Sequence, residues 1–135
     1  IHFPALQVAR ENAIKHGVDD RLILINTSWM SAIRFKFNLV VTNPPYVSEL
    51  DRDKLQPELS FEPSLALFAG IDGMDCYHEI SEALPSVLDK GGVFIGECGH
   101  GQADTLVELL AQKGLKQQQK FYVLAGIARC VAAIR

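Results

Sequence analysis

No stretch of this 135-residue chain approaches the apolar length of a membrane-crossing helix; it has no Cys-x-x-Cys pair and no concentration of charge of one sign. Each absence closes a class of function. Crossing the hydrocarbon core takes about 20 consecutive apolar residues, so the chain reads as soluble. Cys76, Cys98 and Cys130 are odd in number and far apart, which gives neither a metal-binding pair nor an even disulfide framework. A reducing compartment is the simpler setting, and the cytoplasm is the expected location. No second His, Cys or carboxylate stands at ligand spacing from His100, so no metal is expected. Thirteen Lys and Arg face sixteen Asp and Glu in a scattered arrangement, for a formal charge of −3. That distribution offers no footprint for strong non-specific nucleic-acid binding.

What is present is a globular composition, 48% hydrophobic and 21% charged, long enough for one core and one domain at most. Pro4 followed by residues 5–16 and closed by Gly17 predicts a helix with Leu6, Ala9 and Ala13 on one face. The short branched run Leu22-Ile23-Leu24-Ile25 predicts a buried parallel strand, left through Asn26-Thr27-Ser28-Trp29. A second strand is expected over 37–42. Residues 47–73 form a polar connection long enough to be a lid or binding loop with a short helix of its own. Tyr77, Ile80, Leu84 and Leu88 mark a helix over 75–89, with Pro85 as a kink or break and Lys90-Gly91-Gly92 as its end. A strand at 93–97, a helix at 102–113 closed by Gly114, and a terminal hairpin of strands at 119–124 and 129–134 complete the order. Helices between apolar strands imply an α/β fold with a mainly parallel sheet and an antiparallel pair at its end.

The feature that carries chemistry is Asn43-Pro44-Pro45-Tyr46, where the apolar strand at 37–42 stops. Two prolines remove two backbone donors and fix two φ angles, which makes a rigid corner. A residue before proline is held extended, so Asn43 projects its carboxamide beyond the strand end. An amide that donates and accepts, beside carbonyls without neighbouring N–H groups, suits recognition of another amide or an amino group.

Taken together, Asn43-Pro44-Pro45-Tyr46, Phe61-Glu62-Pro63 with Leu65-Ala66-Leu67, Gly70, Asp72-Gly73, Tyr77, Ile80, Gly91-Gly92, Glu97, Gly99, Gln102, Leu124-Ala125-Gly126 and Arg129 resemble the release-factor glutamine N5-methyltransferases. The resemblance runs from Ile1 to Arg135. The proline corner alone is shared with adenine and cytosine amino-methyltransferases, while the segment from Phe61 to Gly73 favours the glutamine enzymes. The resemblance implies a class I, Rossmann-like sheet in the order 3-2-1-4-5-7-6, with S-adenosylmethionine as cofactor and a peptide-chain release factor as protein partner. A membrane partner is not expected, nor nucleic acid except indirectly through the ribosome. Aligning the motifs places Ile1 just after the second strand of that sheet. The sequence is therefore expected to be residues 1–135 of a partial catalytic domain, without the first two strands, the Gly-rich cofactor turn and the acidic residue for the ribose.

On this resemblance the Asn43 side-chain oxygen and the Pro44 carbonyl would accept the two hydrogens of the substrate amide. Pro45 would stiffen the corner and Tyr46 would pack on the flat substrate side chain. Asn43, Ser28 and Trp29 would face the cofactor. Trp29 is open to two readings, a rim aromatic or a platform for adenine. Ser28 stands where the family commonly has an acid, which puts that contact in doubt. Glu62 and Pro63 read as fixing the lid against the corner, and Glu97 as capping the turn that follows it. Val123, Ile127 and Ala128 replace acidic residues at a place where structure matters more than chemistry. Two other functions remain: a nucleic-acid amino-methyltransferase, which would need a basic groove, and a truncated, non-catalytic binding module with the same fold.

Overall fold

A computed structural model of the protein describes residues 2–135 and divides into two units, residues 1–33 and 34–135. In the first, helix α1 (Phe3–Lys15) starts with proline in its first turn. Ala13 is its buried residue, and Leu6 and Ala9 are the half-buried ones, the stripe expected from the sequence. Residues 22–25 do not form a strand. Leu22, Ile23, Leu24 and Ile25 are 44%, 80%, 37% and 39% exposed. The reason is that a parallel strand exists only through a neighbour's ladder, and among the described residues no strand pairs with this run; branched apolar composition alone cannot supply one.

The second unit is built on a four-stranded sheet of β1 (Phe37–Thr42), β2 (Leu88–Glu97), β3 (Lys116–Tyr122) and β4 (Ala128–Ile134), in the order β1-β2-β4-β3. β1 and β2 are parallel, and β4 is antiparallel to both β2 and β3. The expected terminal hairpin is thus present, turning at Gly126 with φ +74°. The register sets Val40 beside Phe94 and Ala133, and Val41 beside Ile95 and Ala132, so alternate residues divide between two faces.

One face is covered by α3 (Asp75–Val87) and α4 (Ala103–Gln112). Tyr77, Ile80, Leu84 and Val87 of α3 and Leu106, Leu109 and Leu110 of α4 recur at helical spacing, and all are buried with Phe94, Val131 and Ala133 of the sheet. Each of these large side chains contributes about 1.5–3 kcal/mol through burial. The other face, with Leu39 53% and Val41 66% exposed, is open.

Two boundaries differ from expectation. Pro85 does not end α3 but sits in its last turn, two residues before the end. Gly91-Gly92 does not terminate a helix; it lies inside β2, because Gly91 N–H donates to the Arg135 carbonyl (2.9 Å) and Arg135 N–H to that of Gly92 (3.0 Å). The pairing with β1 shifts register across this stretch, from Phe37 opposite Leu88 to Leu39 opposite Val93.

Cys98, at the end of β2, is fully buried, whereas Cys76 and Cys130 are partly exposed. Burial pushes all three thiols above their ordinary range. A thiol reagent near neutral pH should therefore label Cys76 and Cys130 slowly in the folded protein and Cys98 only on unfolding. Equal rates for all three would contradict this packing.

Candidate substrate corner

The corner forms where β1 runs out. Its two prolines cannot donate to a ladder, so the strand ends at Thr42 and the chain turns away with Asn43 exposed and Pro44 buried. Asn43 follows Leu39 and Val41 in the strand alternation, and it lines a cleft with Val41 and Ile95. Among the described residues, neither the Asn43 carboxamide nor the Pro44 carbonyl makes a hydrogen bond. Two uncommitted acceptors thus belong to consecutive residues that line one cleft.

Beyond the corner the chain folds back on itself. Val47 N–H donates to the Leu67 carbonyl (2.9 Å), Ala69 N–H to Val47 (3.0 Å) and Glu49 N–H to Gly70 (2.9 Å). These bonds close the segment between them into a compact loop of two 3-10 helices, Glu49–Lys54 and Pro57–Phe61, and the short α2 (Ser64–Leu67). Arg52 lies 3.9 Å over the Phe68 ring, a cation–π contact inside the loop. Glu62, with Leu59, Ala66 and Leu67, lines the corner's cleft of about 400 Å³.

Tyr46 is held from two sides. Its hydroxyl donates to Glu97 Oε1 (3.0 Å), and its carbonyl accepts from Gln102 Nε2 (2.9 Å). The Gln102 carboxamide also donates to the Asp72 carbonyl (3.1 Å) and accepts from Gly99 N–H (2.8 Å). One side chain at the start of α4 therefore ties together the corner, the end of the loop and the turn after β2. Glu97 does not cap that turn, as the sequence suggested; Gln102 reaches the turn's N–H, and Glu97 takes the Tyr46 hydroxyl instead. The buried Tyr77 hydroxyl donates to the Glu97 carbonyl, which fixes the residue's backbone.

Burial, and after it the hydrogen bond to Glu97, raises the Tyr46 phenol above its ordinary range. A folded phenol that ionises later than the unfolded one, at about pH 10, adds stability that is whole below that pH. The contribution is lost as pH rises through the folded value. Tyr46→Phe should cost about 1 kcal/mol at neutral pH and blunt the alkaline loss of stability. An unchanged melting profile above pH 10 would show that the bond contributes nothing.

Of the residues expected at the site, the structure brings Asn43, Pro44, Pro45 and Tyr46 together with Glu62 and Arg129 around one cleft. Ser28 and Trp29 belong to the first unit, where the turn is held by Thr27 Oγ1 and Ser31 Oγ (2.9 Å). Ser28 is exposed, and Trp29 is half-buried with φ +46°, an uncommon left-handed backbone for an aromatic residue. Gln102 and Arg129 stand in the motif pattern, but sequence reasoning gave them no role. Two clues existed: a carboxamide three residues after Gly99, and an arginine where an apolar terminal strand begins.

No family model matches the chain. A release factor glutamine methyltransferase of Rhodospirillum rubrum is 37% identical over 132 residues, 97% of this chain and 41% of the relative. A bifunctional methyltransferase of Rickettsia bellii is 40% identical over 116 residues, 84% of this chain and 21% of the relative. The chain thus spans less than half the length of these curated relatives. Among solved structures, the ribosomal protein L11 methylase of Lactobacillus delbrueckii subsp. bulgaricus superposes with a TM-score of 0.65 at 21% identity, over 96% of this chain and 52% of that one. That likeness shows the fold, and the order β1-β2-β4-β3 is the 4-5-7-6 half of a class I methyltransferase sheet.

Proposed function

We propose that this chain, related along nearly its whole length to the release factor glutamine methyltransferases, carries the substrate half of a site that methylates a protein glutamine on its side-chain nitrogen, with a peptide-chain release factor as substrate. The observation that carries the reading is the pair of free acceptors, Asn43 Oδ1 and the Pro44 carbonyl, on a backbone that cannot relax. An amide nitrogen is a poor nucleophile because its lone pair is delocalised, so catalysis is chiefly positioning. The two acceptors would take both amide hydrogens and aim the nitrogen. As positive charge develops on that nitrogen the two bonds strengthen, which favours the transition state over bound substrate. No base of shifted pKa is called for: as the methyl leaves sulfur and bonds to nitrogen, the now strongly acidic cationic amide gives up one N–H proton to water. Tyr46, braced by Glu97 and Gln102, would keep the corner from shifting under load.

S-adenosylmethionine would supply the activated methyl group. Toward it the described residues offer the open sheet face, where a cleft of about 570 Å³ is lined by Val41, Ile95, Asn43 and Glu97. Ser28 and Trp29 stay candidate cofactor contacts on the sequence resemblance alone. The fit is partial. Gly99-His100-Gly101 lies between a strand and a helix, the usual place for a phosphate- or nucleoside-cradling turn. Its hollow, however, is filled: a Cβ on Gly99 would fall 2.7 Å from Gln102 Oε1.

The clefts at the corner contain Glu62 and Glu97 beside a single arginine, a poor match to the basic groove of a nucleic-acid methyltransferase. Calorimetry with S-adenosylmethionine on the native gene product carrying this chain tests the reading. Saturable binding is expected, and no binding would overturn it.

A further inference from the structure

Three clefts meet at the corner, and Arg129 lines all of them. It is half-buried, and among the described residues its guanidinium makes no hydrogen bond or ion pair. Its backbone is fixed at the start of β4, where Cys98 N–H donates to its carbonyl (2.9 Å). Its charge reaches the corner, opposing the rise that burial imposes on the Tyr46 phenol and the Cys98 thiol. A guanidinium carries five N–H donors in a fixed plane and no acceptor. Here those donors are uncommitted.

The corner otherwise offers acceptors. Pro44 and Pro45 have no N–H, the Tyr46 hydroxyl is given to Glu97, and the Gln102 amide nitrogen is given to Tyr46 and Asp72. A polypeptide laid across the two of these clefts that the cofactor does not take brings main-chain carbonyls that lose water as they enter, and each needs a donor. Among the described side chains that line the proline corner's own cleft, the Asn43 carboxamide nitrogen and the Arg129 guanidinium are the donors left to meet them. An anionic group is a poorer occupant, because Glu62, Asp51 and Asp72 line those two clefts and outnumber the arginine.

We propose that Arg129 is a specificity-determining residue that donates hydrogen bonds to main-chain carbonyls of the substrate polypeptide next to the target glutamine. The proposal rests on the glutamine-methylation reading and deepens it: Asn43 and Pro44 hold the reacting amide, and Arg129 holds the chain that presents it. Binding of this kind is made equally in the ground and transition states, so it shows in KM more than in kcat.

The test is steady-state methylation of a glutamine-containing release-factor polypeptide by the native gene product, for the wild type, Arg129→Gln and Arg129→Lys, with S-adenosylmethionine affinity and thermal midpoint measured alongside. Arg129→Gln should raise KM for the polypeptide about tenfold or more, the loss of a charge-assisted hydrogen bond. Its kcat and melting should be nearly unchanged, and Arg129→Lys should fall between. An unchanged KM in an active Arg129→Gln protein would overturn the proposal and leave the methylation reading standing. So would a KM that moves only together with cofactor affinity and melting, which marks a structural role. A wild-type protein that binds cofactor but never methylates glutamine would overturn both.

Discussion

Asn43→Ala is expected to lower glutamine methylation by on the order of a hundredfold or more, with little change in folding. The magnitude follows from losing one hydrogen-bond partner aimed at charge that develops in the transition state, which typically costs about 10²–10³ in kcat. The structural side of the expectation rests on Asn43 being exposed and bonded to no other described residue, so truncating it leaves no buried group unpaired. The corner's shape is held by Pro44, Pro45 and the brace on Tyr46, none of which the substitution touches. Asn43→Asp is a sharper companion. It keeps an acceptor but gives up the amide donor and adds charge, so it should retain more activity than alanine if accepting from the substrate is what matters. Methylation by Asn43→Ala at the wild-type rate would remove Asn43 from the chemistry.

Gly73→Ala should damage both stability and activity from a residue outside the corner's own motif. Gly73 has φ +76°, a backbone that side chains other than glycine's rarely adopt. An added Cβ would stand 2.5 Å from Gln102 Nε2 and closer still to the Tyr46 carbonyl oxygen. That is the locus of the hydrogen bond joining Gln102 to the corner. Neither neighbour can retreat cheaply, since one is backbone and the other makes three hydrogen bonds. Strain and displacement together should cost about 2–4 kcal/mol, read by denaturant unfolding. Activity should fall further than stability explains, because the segment that moves carries the two acceptors. A Gly73→Ala protein with wild-type stability and rate would mean that the corner does not depend on its contact with residues 72–73.

The parts of the fold legible in the sequence are those whose signal is local. Pro4 and Gly17 bracket α1, the spacing of Tyr77, Ile80 and Leu84 marks α3, and β1 is an apolar run ended by a proline pair. Elements decided by partners were misread. Leu22-Ile23-Leu24-Ile25 has strand composition without a strand beside it. Gly91-Gly92, a helix stop by composition, became strand because Arg135 returns to pair with it. The corner itself was legible because proline carries its geometry wherever it goes. The roles of Gln102 and Arg129 were not, because they come from three-dimensional coincidence: residues 56 and 83 positions after Tyr46 in the chain meet it only once β2, α4 and β4 are assembled. Glu97 shows both sides: its place at a strand end could be read, but its partner could not.

The most direct test of the central claim is to incubate the native gene product carrying this chain with S-adenosylmethionine and a peptide-chain release factor, and to locate any transferred methyl by tandem mass spectrometry. The expected result is one methyl group on the side-chain nitrogen of a glutamine, absent with Asn43→Ala. A methyl on any other residue type, or none on glutamine from a protein that binds the cofactor, would contradict the account.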